Sequence, residues 1–270
     1  MPRMFGTDGV RGIANTELTG NLAYDLGRAG AQALTQGTHK PTVILGSDTR
    51  RSCDLLKCAL MAGICSVGAH AVDLGVLPTP AIALLTRQMG ADAGVVISAS
   101  HNPAKYNGIK FFNREGYKLS DALEDEIEAL VRGGCAGVPS PTGAELGRIE
   151  TRPEMRAEYL EALVQRAGAD LSGLTIALDC ANGAASRVAP ELFARLGARV
   201  VSRACEPDGM NINLDCGSTH PEALQALVVE SGADVGLAFD GDADRLIAVD
   251  ETGKIVDGDE MLVVCGRALK

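Results

Sequence analysis

The sequence has 270 residues and is acidic, with a formal net charge of −10 and very few aromatic side chains. The negative charge argues against binding to a nucleic-acid backbone or to an anionic membrane surface. The length suits about two domains, and no stretch reaches the roughly 18 uninterrupted apolar residues of a membrane span.

Helices and strands alternate along the first half of the chain. The hydrophobic pattern predicts helices at 22–34, 55–67, 77–88 and 121–132, and strands at 42–45, 71–74, 93–97 and 108–112. Ser120 is placed to cap the last of these helices. The glycine-rich opening, 5–12, has the composition of a loop.

The second half repeats this alternation after a Gly-, Pro- and Ser-rich stretch at 133–143, which indicates a domain edge. Helices are predicted at 154–167, up to Leu196, at 221–230 and from Asp259 onward, and strands at 174–178, 199–201, 234–239, 246–249 and 254–256. The pattern predicts an α/β protein with two consecutive layered α/β domains, at 1–150 and 151–252, and the start of a third at 253–270.

The eight cysteines contain no C-x-x-C pair, so a metal site built from them is not expected. Cys58 and Cys65 lie seven residues apart in a helical pattern, and we expect them to share one buried face. Reduced core thiols are typical of a cytoplasmic protein. The first six residues do not have the pattern of a signal peptide, which favours the same location.

Ser100 follows the apolar strand at 93–97, with His101 and the turn-forming pair Asn102-Pro103 directly after it. Ligands collect at such strand ends in open α/β sheets, so we expect an exposed hydroxyl there. It could act as a nucleophile if a neighbour such as His101 or Lys110 accepts its proton or stabilises charge. The alternative is a serine that closes a turn, with His101 as a backbone partner and Lys110 in solvent.

Three aspartates, Asp240, Asp242 and Asp244, alternate in the loop after the strand at 234–239. They offer the hard oxygen ligands that Mg²⁺ takes. A solvated acidic turn is the ordinary alternative. A calcium loop of the EF-hand type is excluded because Arg245 occupies its glycine position and strands flank the loop.

Basic residues indicate that a phosphate group joins this metal site. Arg245 directly follows the aspartates, where it would be unfavourable beside a bare cation but suits an anionic phosphate. Arg11 and Arg50, each in a loop that contains a glycine or ends a strand, are candidates for further phosphate contacts.

The segment Ser98-Ala99-Ser100-His101-Asn102-Pro103, together with Asp240-Gly241-Asp242-Ala243-Asp244-Arg245, resembles the α-D-phosphohexomutase superfamily. The stretches 5–12, 207–213 and 216–222 are similar to its phosphoglucosamine mutase branch. The resemblance implies interconversion of glucosamine 6-phosphate and glucosamine 1-phosphate through a bisphosphorylated sugar. It also implies that Ser100 is a phosphoserine and that Mg²⁺ is held by Ser100, Asp240, Asp242 and Asp244.

The resemblance extends to the neighbouring polar residues and to the partners. It implies catalytic roles for Ser100, His101, Lys110 and Arg11, and substrate or phosphate binding by Arg245, Arg50 and Asn102. It further implies a phosphorylated hexosamine as substrate and glucosamine 1,6-bisphosphate or glucose 1,6-bisphosphate as activator. The resemblance is also compatible with a homodimer. A sibling acting on mannose or glucose phosphates, and a non-catalytic phosphosugar-binding fragment, are the alternatives.

The same family carries a sugar-selecting loop of Gly-Glu-x-Ser-Gly type and a phosphate loop of Arg-x-Ser-Gly-Thr type. Neither loop occurs in these 270 residues. We therefore expect an N-terminal portion of such an enzyme, with no meaningful mutase turnover on its own. The reason is that positioning of the sugar supplies much of the catalysis in reactions of this kind.

Overall fold

The computed structural model describes residues 3–35 and 40–268. They form two compact units, the first within 3–99 and 104–159, the second within 100–103 and 160–268. Each unit contains one sheet with helices, which confirms the predicted α/β class. The domain limits expected after residues 150 and 252 remain predictions.

The first unit is built on a six-stranded sheet. Its strands are β1 (Val10–Ile13), β2 (Thr42–Ser47), β3 (His70–Val76), β4 (Ala93–Ile97), β5 (Tyr106–Asn113) and β6 (Ile149–Thr151). Their spatial order is β1-β5-β4-β2-β3-β6. β4 runs parallel to β2 and antiparallel to β5, and all five of its residues are buried. This central position accounts for its uninterrupted apolar sequence.

Four helices accompany this sheet: α1 (Gly20–Leu34), α2 (Ser52–Ser66), α3 (Thr79–Gln88) and α4 (Asp121–Arg132). α1 packs against both α2 and α4, whereas α3 contacts β2, β4 and β5. A short 3₁₀ turn at Gly143–Glu145 precedes β6, and α5 (Met155–Ala167) passes from the first unit into the second. α1, α2 and α4 enclose the main apolar core of the unit against the sheet.

The close approach of α1 and α2 depends on two glycines that face each other's backbones. A Cβ at Gly27 would overlap the carbonyl oxygen of Leu60, and one at Gly63 would overlap that of Tyr24. We expect Gly27→Ala to lower the free energy of unfolding by about 1–3 kcal/mol, because the helices would have to separate. Chemical denaturation checks this, with Gly20→Ala as control, where the nearest atom lies 3.6 Å from an added Cβ. Equal stability of the two variants would contradict the packing.

The second unit has a five-stranded sheet. Its strands are β7 (Thr175–Asp179), β8 (Arg199–Arg203), β9 (Val235–Phe239), β10 (Leu246–Asp250) and β11 (Ile255–Val256). The spatial order is β11-β10-β9-β7-β8, with β7 parallel to both β8 and β9 and the hairpin strands antiparallel. A 3₁₀ turn at Ala184–Ser186 and the helices α6 (Ala189–Arg195), α7 (Glu222–Ser231) and α8 (Gly258–Ala268) complete it. The loops after β7, β8 and β9 therefore leave the sheet at the same edge.

The structure corrects several local predictions. The segment at 10–13 is strand β1 rather than loop, because it pairs with the edge of β5 and buries Val10 and Gly12. Ser120 stands at the start of α4 without a side-chain capping hydrogen bond. Cys58 is exposed and Cys65 only half-buried, because α2 turns a different face to the core. Residues 269–270, where α8 was expected to continue, lie outside the described residues.

Among the described residues, no helix combines the length and apolarity needed to cross a membrane.

Candidate functional site

Ser100 begins the short segment that groups with the second unit, three residues after Ile97, the last residue of β4. Contrary to the exposure expected from its position at a strand end, Ser100 is fully buried. Its φ of 52° is in the left-handed region, which non-glycine residues occupy at a cost on the order of 1 kcal/mol. Such strain is held only where the surroundings over-determine it, and it is concentrated at functional sites.

The Ser100 hydroxyl donates a hydrogen bond to the carboxylate of Asp240. Its Oγ lies 2.5 Å from Oδ2 of Asp240 and 3.4 Å from Nδ1 of His101. The two motifs singled out in the sequence, 140 residues apart, therefore meet at one point. A short hydrogen bond to an ionised acceptor is among the stronger kinds.

Asp240, Asp242 and Asp244 form the cluster predicted from their spacing. One carboxylate oxygen from each lies within 4.8 Å of the others, with Asp240 and Asp242 buried and Asp244 exposed. Burial, followed by the charge of Asp242, raises the pKa of Asp240 to about 6. Two buried carboxylates beside a third are costly in free energy unless a positive partner offsets their charge. The donor set, three hard oxygens and a nearby serine, therefore fits a divalent cation such as Mg²⁺.

Arg245 and His101 pair beside this cluster. Nη1 of Arg245 lies 2.9 Å from Nδ1 of His101. Arginine can only donate, so Nδ1 accepts and the proton of a neutral His101 ring is on Nε2. The geometry favours an orienting role of Nδ1 toward Arg245 over proton transfer from the more distant Ser100 hydroxyl.

Asn213 joins the Ser100 segment to the loop after β7. No pattern in the sequence assigned this residue a role. This buried amide donates from Nδ2 to the carbonyl oxygens of Ser100, at 2.9 Å, and Asn102, at 3.1 Å. Its own backbone N–H donates to Ala181 O at 2.9 Å. Asn102 therefore contributes its carbonyl to this arrangement, and its expected phosphate contact stays a prediction. The sequence pointed to Asn213 only as the last residue of the stretch 207–213, which is similar to the phosphoglucosamine mutase branch.

The first unit brings Arg11 and Lys110 together through Asp8, which sequence reasoning missed. Nζ of Lys110 lies 2.6 Å, and Nη2 of Arg11 2.8 Å, from Oδ2 of Asp8. Lys110 is buried rather than a solvated strand lysine. Burial alone would raise the pKa of Asp8, but the hydrogen bond and charge of Lys110, and then those of Arg11, lower it below its usual value.

This lowered pKa predicts an acid-sensitive contribution to stability. A carboxyl group with a depressed pKa stabilises the fold above its unfolded-state pKa, and this contribution is lost as the pH falls through its folded-state pKa. We expect Asp8→Asn to be less stable than the parent at pH 6 by about 1 kcal/mol, since Asp8 is partly exposed and screened. The difference should shrink below about pH 4.

Urea unfolding at several pH values tests this, with Glu115→Gln as an exposed carboxylate control in the same unit. A stability difference between Asp8→Asn and the parent that does not vary with pH would contradict the assignment.

Arg50 lies in a buried network next to the end of β4. Its Nε donates to Oδ2 of Asp48 at 2.9 Å, and the Ser98 hydroxyl donates to the same oxygen at 2.6 Å. Both Arg50 and Asp48 are buried. The structure therefore shows Arg50 paired with Asp48 within the first unit. A contact between Arg50 and phosphate remains a prediction.

Comparisons with known proteins show the family to which the chain is related. Residues 2–134 match the phosphoglucomutase/phosphomannomutase alpha/beta/alpha domain I, and residues 157–253 match domain II of the same family. The chain is 60% identical over 270 residues to phosphoglucosamine mutase of Clostridium novyi (strain NT), and 56% identical to that of Thermoanaerobacter sp. (strain X514). All of this chain, and 60% of each relative, is covered.

Solved structures give the same fold. A phosphoglucomutase/phosphomannomutase family protein from Burkholderia thailandensis superposes with a TM-score of 0.84 at 29% identity, covering 99% of this chain and 58% of the other. The phosphoglucomutase parafusin from Paramecium, at 17% identity, shares the fold with a TM-score of 0.74. The superposition covers 99% of this chain and 56% of parafusin. The chain spans about 60% of the length of the curated relatives that it matches. It belongs to the phosphoglucomutase/phosphomannomutase family.

Proposed function

We propose that this chain carries the phosphoryl-accepting serine and the metal-binding loop of a phosphoglucosamine mutase. Such an enzyme interconverts glucosamine 6-phosphate and glucosamine 1-phosphate through a phosphoserine and a bisphosphorylated sugar. The observation that carries the proposal is the hydrogen bond of 2.5 Å from Ser100 to Asp240 inside a cluster of three carboxylates. The shared name of the relatives at 56–60% identity supports glucosamine as the sugar.

The proposed metal is Mg²⁺, held by Asp240, Asp242 and Asp244 and completed by a phosphate oxygen on Ser100. When bound, the ion would neutralise negative charge on the phosphoryl group during transfer. Once Ser100 is phosphorylated, its Oγ has no proton to donate. The hydrogen bond to Asp240 is then lost, and that carboxylate is released to serve as a ligand.

The residues of the chain account for the proton and the charge in the transfer step. Ser100 Oγ attacks phosphorus, and the Ser100 proton leaves along its hydrogen bond toward Oδ2 of Asp240. The bond from phosphorus to the sugar oxygen breaks, and the sugar oxygen takes up a proton from solvent, so that the sugar leaves with a free hydroxyl. Arg245, held by His101, supplies positive charge near the same serine. We propose Arg11, Lys110 and Arg50 as further contacts to phosphate groups, with glucosamine 1,6-bisphosphate or glucose 1,6-bisphosphate as activator.

Sugar specificity is tested by comparing three substrates. We expect a full-length enzyme bearing this sequence to convert glucosamine 6-phosphate with a higher kcat/KM than glucose 6-phosphate or mannose 6-phosphate. A preference for mannose or glucose phosphate would instead support the sibling activities that the family name includes. Binding of all three without any conversion would support a non-catalytic phosphosugar-binding protein.

A further inference from the structure

Two cysteines lie at the carboxyl ends of neighbouring parallel strands in the second unit. Cys180 follows the last residue of β7, and Cys205 lies two residues after the end of β8. The register of the two strands pairs Asp179, one residue before Cys180, with Arg203, two residues before Cys205. Both side chains belong to the same apolar cluster, Cys180 fully buried and Cys205 half-buried at its edge.

Hydrogen bonds hold the backbone of Cys180 and the thiol of Cys205 at one carbonyl. The backbone N–H of Cys180 donates to Arg203 O at 3.3 Å, and Sγ of Cys205 donates to the same oxygen at 3.2 Å. Asn182 N donates to Ala204 O at 2.6 Å, and Ala204 has a left-handed φ of 48° that turns the chain sharply before Cys205. The two cysteines therefore lie side by side at the edge of one apolar cluster, and each thiol shifts the pKa of the other.

The environment makes the two thiols chemically unequal. A hydrogen bond from Cys180 lowers the pKa of Cys205, aided by the Ser202 hydroxyl and opposed by burial and by the Asp179 carboxylate. The same hydrogen bond, with burial, raises the pKa of Cys180. Arg203 forms an ion pair with Asp179, which offsets part of the negative charge at this end of the sheet. The more accessible thiol is therefore also the more acidic one.

We propose that Cys180 and Cys205 form an oxidation site that closes to a disulfide when a hydroperoxide reaches Cys205. The Cys205 thiolate attacks one oxygen of hydrogen peroxide, the O–O bond breaks, and a sulfenic acid and hydroxide result. The hydroxide takes up the proton that Cys205 lost on ionisation and becomes water. The Cys180 sulfur then attacks the sulfenic sulfur, the S–O bond breaks, and a second water leaves with the Cys180 proton. In total two thiols are oxidised and one hydrogen peroxide is reduced to two waters.

Cys216 provides a contrast in the same unit. Burial, and then the negative charge of Asp179, raises its pKa to about 11, so that it remains a protonated thiol at neutral pH. Its sulfur lies 4.0 Å from the amide nitrogen of Asn182. Cys216 is therefore the matched control for a buried thiol at the same edge of the sheet.

Peptide mapping after peroxide treatment tests the pairing. The chain is treated with hydrogen peroxide, alkylated, and digested with trypsin and an endoprotease that cleaves before aspartate, because Asp208 separates Cys205 from Cys216. We expect a cross-linked peptide containing Cys180 and Cys205, lighter than the two free peptides by two hydrogen atoms. Cys216→Ala should give the same product, whereas Cys180→Ala should leave Cys205 as the sulfenic acid or its more oxidised forms.

Alkylation kinetics test the order of the two steps without relying on the disulfide. At pH 7 Cys205 should react faster than Cys180 and Cys216, and Cys180→Ala should slow Cys205 several-fold by removing the donor. Cys180→Ser keeps a hydroxyl donor and should restore part of the rate. The proposal is overturned by a cross-link that joins other cysteines, by the absence of any cross-link, or by alkylation of Cys205 that is indifferent to residue 180.

Discussion

Mg²⁺ should raise the unfolding temperature of the parent chain and leave that of Asp242→Ala unchanged. The reason is that a ligand bound only by the folded state stabilises it, by about 2.7 kcal/mol when its concentration is a hundred times its Kd. An increase of this size corresponds to a shift of several degrees for a chain of this length. Asp242 is a buried member of the carboxylate cluster, so its removal takes away one of the three proposed protein ligands.

The matched control is Asp215→Asn, which removes an exposed carboxylate from the same unit and keeps a residue suited to its left-handed φ of 51°. Asp215→Asn should respond to Mg²⁺ as the parent does. Calorimetric titration with Mg²⁺ gives an independent measurement, in which we expect modest affinity while Ser100 lacks phosphate. Identical isotherms for the parent and Asp242→Ala would contradict the metal assignment.

Replacement of Gly241 by alanine should damage both stability and the metal response. An added Cβ would lie 2.5 Å from the carbonyl oxygen of Ser100 and 2.9 Å from Nδ2 of Asn213. The new methyl group would push the aspartate loop away from Ser100 and Asn213, at an expected cost of about 1–3 kcal/mol. Since Gly241 stands between two proposed ligands, Mg²⁺ should also stabilise the variant less than the parent.

Gly258→Ala is the control for this experiment, since a Cβ there meets open space. Chemical denaturation with and without Mg²⁺ compares the two variants. If Gly241→Ala matched Gly258→Ala in both measurements, the tight contact between the aspartate loop and the serine loop would be refuted.

The sequence pattern predicted the long helices and buried strands well because their periodicity is strong. β4 and α4 have the predicted bounds, 93–97 and 121–132. β1 was missed because it is short, contains a glycine and is stabilised by pairing with β5, whose paired residues lie far along the chain, from Val10 with Ile109 to Ile13 with Tyr106. No local pattern reports such a pairing. The exposure of Cys58 could not be predicted either. A spacing of seven residues places Cys58 and Cys65 on the same face of α2, but it does not say whether that face packs against the core.

The candidate site was predictable in its chemistry and less so in its supporting contacts. Asp240, Asp242 and Asp244 are recognisable because alternate carboxylates after a buried strand need a positive partner. Asn213 and Asp8 were not, because each acts through contacts with residues far along the chain, Asn213 with Ser100 O and Asp8 with Lys110. The burial of Ser100 likewise depends on packing in the second unit, which a strand-end pattern does not reveal.

The central claim is that Ser100 accepts a phosphoryl group, and direct mapping of that phosphate tests it. The chain is incubated with glucose 1,6-bisphosphate and Mg²⁺ and then digested with trypsin. Ser98 and Ser100 lie in one tryptic peptide, between Arg87 and Lys105, so fragment ions must assign the site. We predict phosphate on Ser100, none in Ser100→Ala, and retained labelling in Ser98→Ala. Phosphate found on Ser98 and never on Ser100 would contradict the account.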